Sequence, residues 1–533
     1  MSRVYIADKP TLDKVLETTD LILANLMVMN NEEATKTKVA ANYFATRRTG
    51  KVFGVSFNGN TSPAGTRKFD AVNMIARPST DKVAERNDFD EYAIFNGLTV
   101  NGYVDVNGDF VVEAFEGEDG FSKTDKDVYI LLGTSWVNID ITSAGETISV
   151  TDKPRDGYFP MPGAVKSDGS IRPFIAMAKY LASEKSGTAS SVSGAIPYHN
   201  TVSHNDCITR FHNKGTQYCA TTFQDRFLIE TYFQIIFATR DSQSIMKGCT
   251  SYNFQENIAK VETGAKNRVL VAKGKGKQYI VGSRACVGSA TGMSNKDRNN
   301  AKAYDLADRR LITKIEENVT VDAQQYDAIY LDGAAFTVAD TKAFISTMPW
   351  DTGTCDNVLG SCGSYTDNTN GMYPYVFCGI EMSNGQYEVM GNVIFKQIGT
   401  TANFTGEYYV CYDAKNLKTS SGQDNYKKLS YTPITLGAIS AAGWKYISKI
   451  GFDGTNPGAR LATEFTGSTS QGYCDGYYFG NSSGDREVLC GGYLDVGASA
   501  GVWCRSVVFS LADAVWYRCA RLSATGICGQ KAS

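Results

Sequence analysis

The stretch GGYLDVGASAGVWCRSVVFSLADAVWYRCARLS, residues 491–523, mixes bulky apolar, acidic and small polar side chains that follow no single period. A glycine pair opens it, and Arg521 near its end would be costly to bury without a partner. One interpretation is a displayed surface, because aromatic and small polar residues on a rigid frame make good contact surfaces. The other is a core strand, and composition alone does not decide between them. The apolar residues that such a strand would bury are Val507, Val508, Phe509, Val515 and Trp516.

The chain as a whole has 533 residues and a net charge of −3. At about 100–200 residues per domain, this length predicts two to four domains. The charge argues against a nucleic-acid-binding surface, which needs clustered Lys and Arg, and the basic run at 272–278 is predicted to be a solvated turn. No apolar run is long enough to span a bilayer and no signal peptide is evident, so we expect folding in a cytoplasm.

The N-terminal segment 1–30 contains the clearest amphipathic pattern, over 10–30. Its apolar positions step by three and four, which is the spacing of a coiled-coil seam. We predict an oligomer-forming stalk, with a helix packed on its own domain as the alternative. The seam residues are Leu12, Val15, Thr19, Ile22, Leu26 and Met29.

Residues 31–150 read as a β-rich module of alternating strands and tight turns. The pairs Asn101-Gly102 and Asn107-Gly108 fit two-residue hairpin turns. Prolines at 154–173 mark a boundary, and 151–533 is predicted to be one larger domain. Within it, SIRPFIAMAKYLASE (170–184) and 223–242 are predicted helices, 266–346 is a predicted β insertion, and 347–533 is rich in Gly, Tyr and Cys.

Residues that could carry chemistry are few. His199, His204 and His212 have spacings that do not share a helix face, so surface or turn roles are favoured over a metal site, and no HExxH or GxSxG motif occurs. A cysteine–histidine nucleophile stays open, because such partners are distant in sequence. The acidic turns at 105–109 and 452–458 could hold a structural calcium ion through oxygen ligands, although ordinary turns are favoured.

The 13 cysteines are an odd number and include no CxxC pair, which argues against a zinc knuckle. We expect most of them to be buried free thiols. Cys355 and Cys362 could instead clasp the loop between them under oxidising conditions.

A family resemblance enters with GIEMSNGQYEVMGNVIF (379–395) and with the frame of 487–523. Both resemble the C-type lectin fold of the formylglycine-generating-enzyme type, and 221–238 falls where that family has a helix. The family continues Trp-Glu-Trp where this chain has Ile394-Phe395-Lys396, and its catalytic cysteine pair has no counterpart. The resemblance therefore implies an α+β, C-type lectin fold without enzymatic activity. The motif residues are Gly385, Tyr387, Glu388, Gly391, Asn392, Val393, Gly491, Gly492, Arg505, Ser506 and Arg521.

The closing segment resembles one branch more closely, the variable proteins of diversity-generating retroelements, such as the phage major tropism determinant. Those proteins end in a C-type lectin domain whose last strands and loops carry rewritten positions. The resemblance implies that the frame of 491–523 is structural and that its mixed contents are one sampled ligand-binding surface. The implied variable positions are Tyr493, Leu494, Asp495, Val496, Ser499, Ser506, Val508, Phe509, Ser510, Asp513, Val515 and Tyr517.

The N-terminal part is similar to tail proteins of phages of Gram-positive gut bacteria, in VYIADKPTLDKV (4–15), GTRKFDAV (65–72) and RNDFDEYAIF (86–95). Together the resemblances imply a phage tail-tip or fibre receptor-binding protein of the virion. Its expected partners are a host surface protein or glycan, other tail proteins and two further copies in a homotrimer, with no nucleic acid, membrane insertion or cofactor. The alternatives are a metal oxidase of the formylglycine-generating or sulfoxide-synthase type and a structural baseplate or decoration protein.

Overall fold

A computed structural model describes residues 36–199, 202–357, 367–419 and 425–530. The predicted N-terminal coiled-coil helix and Cys362 lie outside these ranges. The described chain is mostly β with few helices, which agrees with a β-rich α+β class. No helix in these ranges is long and apolar enough to cross a membrane.

The described residues between 36 and 250 contribute three α-helices, one five-stranded sheet and four of the five strands of a second. The helices are α1 (Lys36–Thr46), α2 (His204–Lys214) and α3 (Phe223–Phe237). The strands are β1 (Val52–Phe57), β2 (Thr66–Phe69), β3 (Ala76–Arg77), β4 (Arg86–Asn87), β5 (Leu98–Val104), β6 (Phe110–Phe115), β7 (Val128–Gly133), β8 (Trp136–Thr142), β9 (Gly145–Thr151), β10 (Phe159–Pro160), β11 (Phe174–Leu181), β12 (Ser183–Lys185) and β13 (Thr188–Ser190).

Residues 251–357 contain a six-stranded antiparallel sheet, so the prediction of strands between 266 and 346 is confirmed. A short helix, α4 (Thr354–Asn357), follows it. The sheet has the order β14–β19–β16–β17–β18–β15. Its strands are β14 (Gln255–Asn257), β15 (Arg268–Ala272), β16 (Arg284–Gly288), β17 (Ala307–Val321), β18 (Gln324–Leu331) and β19 (Phe344–Met348). We call residues 251–348 the insertion.

The C-terminal part is built on a nine-stranded sheet of order β24–β23–β22–β30–β31–β29–β26, with β25 and β32 attached to β23 and β22. Its strands and their neighbours are β20 (Tyr375–Phe377), β21 (Ile380–Met382), β22 (Tyr387–Thr400), β23 (Asn403–Val410), β24 (Lys427–Lys428), β25 (Ile434–Gly437), β26 (Gly443–Tyr446), β27 (Lys449–Ile450), β28 (Ala462–Glu464), β29 (Gly476–Phe479), β30 (Gly484–Gly491), β31 (Gly501–Val507), β32 (Arg518–Cys519) and β33 (Arg521–Ser523).

The last strand, β33, pairs with β11 and so joins a sheet formed by strands from the first half of the chain. One five-stranded sheet has the order β10–β8–β9–β1–β2, and the other has the order β33–β11–β7–β5–β6. Strands from the predicted module 31–150 therefore share a sheet with β11 and with the C-terminal β33. The domain boundaries stay a prediction, but hydrogen-bonded strand pairs join residues before and after residue 150.

Helix α3 is confirmed within the predicted 223–242 and lies in the core. Thr222 and Asp225 form a reciprocal capping box at its start, and 14 of its 15 residues are buried. A helix that is apolar on most faces is buried on most faces. The few polar residues that it buries, Arg226 and Glu230 among them, must therefore find partners inside the protein.

The helix predicted over 170–184 is wrong. Phe174–Leu181 is instead strand β11, paired with β7 on one side and β33 on the other. Seven of its eight residues are buried, so both faces of the strand are covered. A short continuous apolar run fits a doubly covered strand as well as a buried helix, and the pattern alone does not separate them.

One of the two predicted hairpin turns is also wrong. Asn107-Gly108 does turn between β5 and β6, where Gly108 has a φ of +85°. Asn101-Gly102 instead lies inside β5, at a shift in the register with β6. The Asn101 side chain bonds Ser122 and Asp127, and a side chain at Gly102 would collide with the Val111 carbonyl oxygen at 2.4 Å.

Candidate functional site

The frame residues of 491–523 form buried ion pairs with strands β22 and β30 of the nine-stranded sheet and with helix α3. Glu388 lies on β22 and Arg521 on β33, with 3.1 Å between Glu388 Oε1 and Arg521 Nη2. Thr221 donates to Glu388 at 2.9 Å, and Arg521 donates to the carbonyls of Ala178 and Glu381. Although burial opposes its ionisation, Arg521 and Arg226 hold the pKa of Glu388 below its usual value.

Asn392 joins β22 to the start of helix α3. Its Oδ1 accepts from the backbone N–H of Phe223 at 3.0 Å, and its Nδ2 donates to Gln224 and to the Cys411 carbonyl. Beside it, Gly391 approaches Ala220 so closely that an added Cβ would lie 2.8 Å from the alanine Cβ. The Gly-Asn pair thus fixes helix α3 against the sheet.

Two more arginines of 491–523 are buried and form ion pairs. Arg505 on β31 pairs with Glu230 of α3 and donates to the carbonyls of Val502 and Cys504. Arg518 on β32 lies 2.6 Å from Glu487 of β30, and neither side chain is exposed. Arg518 also donates to the Asp513 carbonyl. We call these residues the frame: Glu230, Glu388, Asn392, Glu487, Arg505, Arg518 and Arg521.

All of the predicted variable positions except Ser506 belong to two loops on either side of β31. The first loop spans 492–500, between β30 and β31, and includes a 3-10 turn at Gly497–Ser499. The second spans 508–517, between β31 and β32. Eight of the twelve positions are half-buried and two, Asp495 and Asp513, are exposed. The half-buried ones are Tyr493, Val496, Ser499, Val508, Phe509, Ser510, Val515 and Tyr517.

Aromatic side chains from both loops meet in one place. The rings of Tyr493 and Tyr517 stack with centroids 4.2 Å apart and planes at 17°. Trp516 packs edge-on against both rings, and Phe509 lies 6.4 Å from Tyr517 with its ring over the Arg518 guanidinium. We call Tyr493, Phe509, Trp516 and Tyr517 the aromatic cluster. Residues separated by 24 positions in the chain therefore form a single surface feature.

Two of the predicted displayed positions are corrected by their burial. Leu494 has no exposed surface, because it packs with Cys249, Tyr252 and Trp350 in a small core. Ser506 is 2% exposed, because it lies within β31 between its partners on β29 and β30. Neither side chain can contact an external ligand in this conformation.

The core-strand interpretation describes a different part of the same stretch. Val507 and Trp516 are buried, whereas Val508, Phe509 and Val515 are half-buried. Strand β31 is buried along its whole length, and the mixed contents lie in the loops that flank it. Both interpretations therefore apply to 491–523, each to its own residues.

The sequence analysis missed the groups that surround these loops. Trp444 on β26 is 37% exposed, and its ring would be 2.5 Å from a Cβ at Gly476. Tyr446 on the same strand lies 3.1 Å from the Ser499 hydroxyl. From the insertion, Asn299 accepts from the Trp516 backbone N–H at 3.2 Å, and Arg298 lies over the Trp516 ring. No local sequence pattern indicates this neighbourhood, because its members come from β26, the insertion and the two loops.

Two of the three histidines contact backbone carbonyl groups. His199 Nδ1 is 3.0 Å from the Pro197 carbonyl, and His212 Nε2 is 2.9 Å from the Ala414 carbonyl. His204 is buried at the start of α2, and burial lowers its pKa to about 4. Within the described ranges, no cluster of His, Cys, Asp or Glu has the arrangement of a metal site.

The two candidate calcium turns use their acidic side chains for local backbone contacts. Asp105 accepts from the N–H groups of Asn107 and Asp109, and Asp453 accepts from that of Thr455. These are the bonds of ordinary turns.

All twelve described cysteines are free, and eleven are buried. This agrees with the expectation of buried thiols, and burial raises the pKa of each of these eleven, as at Cys249 and Cys504.

Neither a protein-family model nor a curated protein matches this chain.

Proposed function

We propose that this chain is a receptor-binding protein of a phage tail tip or fibre, with a C-type lectin fold of the formylglycine-generating-enzyme type. In this proposal the two loops flanking β31 form a diversified ligand-binding site for attachment to the host cell. The chain contributes affinity and no catalytic step.

One observation carries the proposal. In 491–523, the residues of the proposed frame are buried in ion pairs, whereas ten of the twelve proposed variable residues are exposed or half-buried. Side chains that can change without loss of the fold must be separated in this way from those that hold it. A core strand or an active site has no need for such a division.

The two loops that flank β31 carry polar groups that are available to contact a ligand. Within the described ranges, the hydroxyls of Tyr493 and Tyr517 and the carboxylate of Asp495 form no hydrogen bond or ion pair with another residue. Tyrosine and tryptophan dominate binding hot spots, because they combine a large apolar area with a polar group. Tyr493, Phe509 and Tyr517 are therefore the proposed anchors.

A homotrimer, through the N-terminal stalk, would present several such sites together. Linked sites raise the effective concentration of the second and third binding event, so avidity exceeds the single-site affinity by about 10²–10⁴. Weak individual sites are then sufficient for attachment to a cell that carries many receptors.

The proposal is tested with the fluorescently labelled full chain on a mixed gut bacterial community, sorted by flow cytometry. We expect a subset of cells to be labelled, and the Tyr493→Ala/Tyr517→Ala variant to label that subset at least about tenfold less, as expected for hot-spot residues. The matched control is Tyr103→Ala, which removes a surface tyrosine on β5 that is 43% exposed. The proposal is wrong if no cells are labelled, or if the double variant labels them as well as the control does.

A further inference from the structure

The partner's chemistry is suggested by the charges around the aromatic cluster. Three carboxylates border it, from Asp495 in the first loop, Asp513 in the second and Asp297 in the insertion, and all three residues are exposed. Within the described ranges, Asp495 forms no hydrogen bond or ion pair, and Asp513 uses one oxygen to accept from the Ser510 N–H at 2.8 Å. Asp297 uses its Oδ1 to accept from the backbone N–H and the side chain of Asn299. Each of the three carboxylates therefore has at least one oxygen without a hydrogen bond to the described residues.

The three arginines that contact the two loops are buried. Arg298 donates to Asn253 and the Phe254 carbonyl, and Arg518 is held by Glu487 and the Asp513 carbonyl. Arg486 donates to Ser482 and to the Val508 carbonyl. Their guanidinium groups face inward and stabilise the loops, while the acidic groups face outward.

The two tyrosines respond to these carboxylates. Burial raises the pKa of Tyr517 to about 12; Arg518 opposes this, and Glu487 and Asp297 add to it. Burial and then Asp495 also raise the pKa of Tyr493. The tyrosine hydroxyls thus stay protonated, and Asp297 of the insertion is close enough to Tyr517 to affect its pKa.

We propose that this surface binds a cationic group of its partner, an amine or guanidinium exposed on the host receptor, and that Asp297 is a fixed contact outside the diversified loops. Aromatic faces attract cations, and carboxylates at the rim of a surface steer an oppositely charged partner and fix its orientation. The inference rests on the proposed function, since it names the chemistry of the partner for that same site. It adds the insertion to the binding surface.

The test uses the full chain and two synthetic peptides, one of alternating lysine and serine and one of alternating glutamate and serine, with binding measured by calorimetry. We expect only the lysine peptide to bind, and its affinity to fall at least about tenfold between about 20 mM and 500 mM salt, because salt screens exposed charges. The variant Asp297→Asn/Asp495→Asn/Asp513→Asn should lose at least about tenfold in affinity.

A matched triple variant controls for the change in overall charge. Asp119→Asn/Asp140→Asn/Asp156→Asn removes three exposed carboxylates remote in sequence from both loops, and it should bind the lysine peptide like the parent chain. Equal losses in the two triple variants, equal binding of the two peptides, or no binding of the lysine peptide would each overturn the inference.

Cell labelling separates this inference from the proposed function. If the tyrosine double variant loses cell labelling but the Asp297→Asn/Asp495→Asn/Asp513→Asn variant keeps it, the receptor-binding proposal stands and the cationic partner is wrong. The single variant Asp297→Asn then isolates the contribution of the insertion: an affinity for the lysine peptide equal to that of the parent would remove Asp297 from the site.

Discussion

The three arginines of the frame lie within a few residues of the aromatic cluster in the chain, but their side chains have the opposite environment. Arg518 is fully buried and paired with Glu487, whereas its neighbour Tyr517 is half-exposed with a free hydroxyl. Breaking a buried ion pair leaves an uncompensated charge in the interior, while changing a surface aromatic removes only local packing. The comparison teaches that tolerance to substitution can change from one residue to the next.

The largest expected effect is on the frame. Arg521→Ala leaves Glu388 buried without its main cationic partner, so we expect the free energy of unfolding to fall by about 3–5 kcal/mol. Urea denaturation followed by circular dichroism measures it. As the control, Arg86→Ala removes an exposed arginine that pairs with Asp88 and should cost much less stability than Arg521→Ala. Equal losses in the two variants would remove the distinction between frame and surface.

A second substitution separates two neighbours within the first loop. Leu494→Ala should destabilise the protein by about 2–5 kcal/mol, because it leaves a cavity against Trp350 and Tyr252. Val496→Ala, two residues further on and half-buried, should cost less than about 1 kcal/mol. Thermal unfolding of the two variants compares them directly. A small loss at Leu494 would return that residue to the displayed set.

The pH dependence of stability tests how strand β31 is held. Asp475 is buried and accepts from the Trp503 N–H at 2.9 Å and from the Ser242 hydroxyl at 2.7 Å, and burial raises its pKa to about 7. In the unfolded chain the pKa of an aspartate is about 3.9, so this contribution is fully present below that pH and is lost as the pH rises through 7.

We therefore expect the stability of the parent chain, relative to Asp475→Asn, to fall by about 2 kcal/mol between pH 5 and pH 6.5. Denaturation curves of both proteins at several pH values measure this difference. The asparagine variant cannot ionise at this position, so it supplies the control in the same fold. A constant difference across this pH window would show that Asp475 is ionised in the folded state at all of these pH values.

How much the sequence predicts depends on how local the signal is. Helix α3 is predicted well, because its capping residues and its long apolar run lie next to each other. Strand β11 is not, because a short, mostly apolar run fits a buried helix or a strand that is covered on both faces, and the difference is made by β7 and β33. The Asn101-Gly102 pair is misassigned for a similar reason, since its environment is set by Val111 on the partner strand.

The candidate site shows the same limit. The motif in 491–523 predicts which residues belong to the frame and which positions are variable. Ten of the twelve predicted variable positions are exposed or half-buried. The burial of Leu494 depends on Trp350 and Tyr252, and the contact of Trp516 with Asn299 joins residues 217 positions apart. Periodicity and composition carry no information on such long-range contacts. The contact between the insertion and the second loop is therefore visible only in the folded chain.

The most direct measurement of the central claim compares two randomised libraries of the full chain by resistance to protease. One varies the surface positions Tyr493, Asp495, Val496, Ser499, Val508, Ser510 and Asp513, and the other varies Glu230, Glu388, Asn392, Glu487, Arg505, Arg518 and Arg521. We predict that most members of the surface library resist digestion like the parent chain and that few members of the frame library do. Similar resistant fractions in the two libraries would contradict the account.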